Sequence, residues 1–153
     1  MTENNPSCKK LKGCMEISGF GKTMRRISPV TVPSRLLQWP CQIGLMPACA
    51  PYFENAELLI AADCAAYAYA DFHNSFMLDR VTLIGCPHMG ELGRLNDIIR
   101  NNHIKGITVV RMEVSCCDGL EAAITKAVSD SNQNIPIHTI TISTDGNVIE
   151  RAG

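Results

Sequence analysis

AELLIAADC (56–64), VTLIGC (81–86) and GITVVRMEVSCC (106–117) repeat one phrase: an apolar run that ends in cysteine. Each run is short and rich in Ile, Leu, Val or Ala, the pattern of a strand buried on both faces. Helical spacing follows the second and third. Leu92, Leu95, Ile98 and Ile99 fall on one face, as do Leu120, Ala123, Ile124, Ala127 and Val128. After Cys64, the stretch Ala66–Met77 holds no Pro or Gly and predicts a third helix. Strand–helix alternation implies a mostly parallel sheet flanked by helices, a three-layer α/β/α, Rossmann-like architecture. Right-handed crossovers bring the carboxyl ends of such strands to one edge, where open α/β sheets bind their ligands. Cys64, Cys86, Cys116 and Cys117 are therefore expected to converge there.

Working outward, IPIHTITIS (135–143) reads as a further strand, Thr144–Asn147 as a turn, and Val148-Ile149 as the start of a short closing strand. Upstream, LLQWPCQIGLM (36–46) reads as an edge or bulged strand interrupted by Pro40, with Trp39, the single tryptophan, as a core anchor. Residues 1–33 read as an irregular arm carrying Cys8 and Cys14, and 34–153 as one cysteine-rich α/β domain. Within the arm, GFGKT (19–23) lacks the earlier glycine and leading strand of a P-loop.

The balance of 14 Lys+Arg against 15 Asp+Glu, a net charge of −1, gives no broad attraction to nucleic acid or anionic membrane. No apolar run approaches the roughly 20 residues of a bilayer span. The opening MTENNPSCKK has no apolar signal core, so a cytoplasmic location is expected. Eight cysteines are many for that compartment. With an adequate core and no export signal, thiolates for a soft metal or an iron–sulfur cluster fit better than a disulfide framework. Cys41 and Cys49 read as inert packed thiols. His73 falls too far along its helix and suits packing or hydrogen bonding. His88, just past Cys86-Pro87, reads as a solvated loop residue that lies near enough to ligate. In the third unit, after Cys116-Cys117, Asp118 suits a helix N-cap and Gly119 a close backbone approach. A helix start there favours thiolate.

LLQWPCQIGLM, APYFENAELLIAADCAAYAYADFH (50–73), IGCP (84–87) and ITVVRMEVSCCDGL (107–120) resemble a family of anaerobe iron–sulfur proteins known simply as ferredoxins. In that family two ferredoxin motifs precede a domain similar to Leu37–Gly146. Those motifs are missing here, so the resemblance implies a cluster held by the α/β domain itself. The family carries Lys at the position of His88 and an apolar residue at that of Cys41. Its upstream Gly-Cys-Pro-Gly-Ser phrase is similar to the stretch from Gly13 to Ser18, which points to Cys14. A more distant likeness is to small iron–sulfur subunits of methanogen hydrogenases.

The resulting expectation is an iron–sulfur protein that ligates through Cys64, Cys86 and Cys116 or Cys117, with Cys14 as fourth donor. It would serve electron transfer or redox support for a partner protein, with nuclearity and homo-oligomerisation open. A zinc site on the same thiolates is the alternative, and a thiol–disulfide protein a further one, although no C-x-x-C is present. No G-x-S-x-G, H-E-x-x-H or dinucleotide-binding glycine motif marks a stand-alone enzyme.

Overall fold

The structure, a computed structural model, describes residues 32–153. Cys8 and Cys14 lie outside the described residues. Five strands form one sheet: β1 (Ala56–Ala62), β2 (Val81–Gly85), β3 (Ile104–Met112), β4 (Ile137–Ile142) and β5 (Val148–Ala152). Their order is β2-β1-β3-β4-β5. The first four run parallel, and β5 closes the sheet antiparallel to β4. The connection from β1 leads to one side and that from β2 crosses to the other, so the strand order reverses between β1 and β3.

The central strands are dry on both faces: Leu58, Leu59, Ile60, Val109 and Val110 are fully buried. That burial follows from their unbroken aliphatic runs, which leave no polar face for water. Two amphipathic helices, α2 (Arg94–Asn101) and α3 (Asp118–Ser131), bury Leu95, Ile98 and Ile99, and Leu120, Ile124 and Ala127. They pack against each other and so share one face of the sheet. Asn102 ends α2 by donating to Ile98 O at 2.7 Å and Ala48 O at 2.8 Å, and Gln133 reaches Ile99 O at 2.7 Å. These side chains satisfy carbonyls that a helix end leaves without partners. Asn132, at φ 55°, closes α3 in the left-handed region.

Three expectations give way. The helix foreseen over Ala66–Met77 is broken into α1 (Ala65–Ala68), an extended link at Tyr69, and a wide turn over His73–Met77. Asp71 explains the restart: its carboxylate accepts from Asn74 at 2.8 Å and Ser75 at 2.7 Å, which competes with continuous helix. These bonds also hold the Asp71 carboxyl below its usual range, that from Ser75 most strongly. The β4–β5 turn packs against this point, since a Cβ on Gly146 would clash with Ala68 O.

The segment Leu36–Met46 is not a strand. It runs along the open edge of β2 with a single bridge, Gln42 to Ile84, and a 3-10 turn at Ile43–Leu45. Gln38 substitutes for a neighbouring strand, its amide donating to Thr82 O at 2.5 Å and accepting from Thr82 N at 3.4 Å. With Gln38 turned inward, Trp39 points to solvent at 78% exposure rather than anchoring the core. The core on this side is filled by Ile43, Met46 and Phe53. Among the described residues no helix is long and apolar enough to cross a membrane.

Candidate metal centre

Cys64 lies two residues beyond β1, Cys86 directly follows β2, and Cys116 and Cys117 occupy a 3-10 turn between β3 and α3. Since β2, β1 and β3 are adjacent and parallel, these thiols share the carboxyl edge at the point where strand order reverses. Two close backbone contacts set the loops. Gly85 packs closely under Ile43, where a Cβ would meet Cδ1 at 2.7 Å and make that side chain shift. A Cβ on Gly119 would stand 3.1 Å from Pro87 Cβ, which lays the Cys86 loop against the start of α3.

Cys64 and Cys116 are exposed, Cys86 is half-buried and Cys117 is buried; all four are free thiols. Their sulfurs interact electrostatically. Burial of its sulfur pushes the Cys64 thiol up, even though the residue as a whole is exposed, and Cys116, Cys86 and Asp63 push the same way. Its own backbone hydrogen bond opposes them. Cys117 is pushed up to about 11, first by burial and then by Cys116 and Cys64, against a backbone hydrogen bond at Met112. The thiolate expected from the start of α3 is thus overridden: burial and neighbouring sulfur outweigh the helix dipole.

Asp118 does not cap α3 with its side chain. It is the first helical residue and pairs with Arg111 Nη1, while Arg111 Nε stands 3.5 Å from Glu121 Oε2. The Asp118 hydrogen bond is the main reason that the guanidinium is held even more firmly charged than usual. This cation beside Cys117 was missed in the sequence, though an arginine inside VVRM was a signal that carboxylate partners must lie close. His73 accepts from Arg35 N at 3.1 Å, the hydrogen-bonding role expected of it. His88 is exposed on the turn after Cys86.

The two remaining described cysteines are elsewhere. Cys41 lies beside the β2 edge, its carbonyl accepting from Ile84 N at 2.9 Å. Cys49 precedes the turn that leads into β1 and is therefore at the opposite edge of the sheet. Among the described residues, no group of three or more His, Cys, Asp or Glu side chains is already arranged to hold a metal ion. The donors nevertheless fit a soft cation in kind. They are thiols whose ionised forms repel one another, and a bound cation relieves that repulsion.

The profile of the Rossmann-like domain matches residues 50–153. The chain belongs to the Rossmann-like domain family. The parallel sheet, its reversal between β1 and β3 and its flanking helices are those of a Rossmann-like domain. An uncharacterized protein of Archaeoglobus fulgidus is 35% identical over 94 residues, covering 59% of this chain and 66% of that relative. The match thus spans just under two thirds of the relative's length. No solved structure matches the chain. A Rossmann-like domain hosts many chemistries, so the reading of function rests on its carboxyl edge.

Proposed function

We propose that this Rossmann-like domain binds an iron–sulfur cluster at its carboxyl edge and serves electron transfer or redox support for a partner protein. The observation that carries the reading is that three neighbouring strand ends bring four thiols to one edge, where Cys64 interacts electrostatically with Cys86, Cys116 and Cys117. Cys64, Cys86 and Cys116 are the favoured ligands, because Cys117 is buried and that burial pushes its thiol up. Cys14 would supply the fourth thiolate. The resemblance of the α/β domain to that of anaerobe ferredoxin-named proteins supports the same assignment. A bound cluster would supply one-electron chemistry, and the residues around it would tune its potential through charge and burial. Arg111 is placed to do so beside Cys117.

Zinc on the same thiolates is the second reading, favoured by the same soft donors and distinguished by its lack of redox chemistry. Anaerobic purification with a visible spectrum and counts of iron, sulfide and zinc separates the two. Brown protein with iron and acid-labile sulfide is the expected result. Colourless protein with one tightly held zinc overturns it in favour of zinc. Cys14→Ser should then lower cluster content, and a variant with unchanged iron would remove Cys14 from the ligand set.

A further inference from the structure

At the other end of the sheet, a concavity of about 310 Å³ lies over β3, β4 and β5. Thr108, His138, Ile140 and Arg151 line it, together with Arg80, and the backbone at Gly153 closes one side. The register explains the assembly. Thr108 pairs with His138, and Ile140 with Arg151, so these side chains stand on one face. Arg80, immediately before β2, reaches in from across β1 and is steadied by donating from Nη1 to Phe76 O at 2.8 Å.

No carboxylate side chain lines this hollow. Among the described residues, ion pairs engage Arg94, Lys105 and Arg111 but neither Arg80 nor Arg151. Glu57, on the same face by register, is engaged by Lys105 at 3.3 Å. Two arginines and a histidine thus line one hollow, with neither arginine held in a side-chain ion pair among the described residues. Guanidinium forks match tetrahedral oxyanions, and a volume of this size sits at the lower end of small-ligand sites.

We propose that this hollow binds a phosphate group, either free phosphate or the terminus of a small phosphate ester, independently of the cysteine edge. Bridging both guanidiniums would tie the Arg80 loop to β5 across the sheet. The alternative, in which the two arginines merely cover apolar surface with their stems, would show no anion saturation.

The test is an NMR titration of the full chain with inorganic phosphate and, separately, adenosine monophosphate, at constant ionic strength set with sodium chloride. The His138 ring resonances, assigned through His138→Gln, report the pocket. A saturable shift is expected, from phosphate if the free ion suffices or from the nucleotide alone if an ester is required. Arg80→Gln and Arg151→Gln should each weaken binding by about tenfold or more, and Arg80→Lys by less, since it keeps charge but loses the fork. Circular dichroism checks that each variant is folded. No saturable shift with either probe, the same shift with chloride, or saturation unaltered in the folded double variant overturns the proposal. None of these outcomes depends on whether the cysteine edge holds a cluster.

Discussion

Gly119 and Pro87 bring two cysteine loops into contact: a Cβ on Gly119 would be 3.1 Å from Pro87 Cβ and 3.3 Å from its Cγ. The contact joins the loop after Cys86 to the turn that carries Cys116 and Cys117. A single methyl there asks the proline to yield by a few tenths of an ångström, which the better helix propensity of alanine, worth about 1 kcal/mol, offsets. Gly119→Ala should therefore change stability by less than about 1 kcal/mol. Gly119→Val has no such compensation and should displace the Cys86 loop, at a cost of about 1–3 kcal/mol. Thermal unfolding reads the stability difference. Iron content should fall in Gly119→Val, and full loading in that variant would separate the loop contact from metal binding.

Cys117 makes the stability of the metal-free protein sensitive to alkaline pH. Its folded pKa is raised from 9.0 to about 11, so its favourable contribution is complete below about 9 and is lost as pH rises through about 11. Urea unfolding of reduced, metal-free protein should show a fall in stability across that window. In Cys117→Ala the fall should be smaller, since only its contribution is removed and Cys64 shifts in the same direction. An identical pH profile in wild type and variant would contradict this assignment. Metal loading should run the opposite way, weakening on acidification as the thiols regain protons.

Cys41 and Cys49 stand apart from the converging thiols, one along the β2 edge and the other toward the amino end of β1. Cys41→Ser and Cys49→Ser should keep the iron content and spectrum of the parent. Loss of cofactor from either folded variant would place the centre elsewhere.

Asn102 is 7% exposed and donates to two carbonyls at once. Asn102→Leu should destabilise the protein by about 1–3 kcal/mol, because the carbonyls of Ile98 and Ala48 lose their donor in a buried place. Chemical denaturation measures this, and a neutral result would mean that water reaches both carbonyls.

The repeated runs before Cys64, Cys86 and Cys116 were enough to assign the parallel sheet, because an uninterrupted aliphatic strand can be stable only when covered on both faces. The same local logic placed the thiols at a common edge and found the buried stripes of α2 and α3. Trp39 shows where such reasoning ends. It faces solvent because Gln38 turns inward to hydrogen-bond Thr82, 44 positions away, which no neighbouring residue announces. After Ala68 the chain likewise packs against Gly146, far along the sequence. Most of all, the protonation of Cys117 was decided by tertiary structure. A helix start acts locally and is visible in sequence, whereas burial and the charges of Cys64 and Cys116 are properties of a folded neighbourhood. Sequence alone determined which strands form and where their cysteines end; packing across distant segments decided how those sulfurs hold their protons.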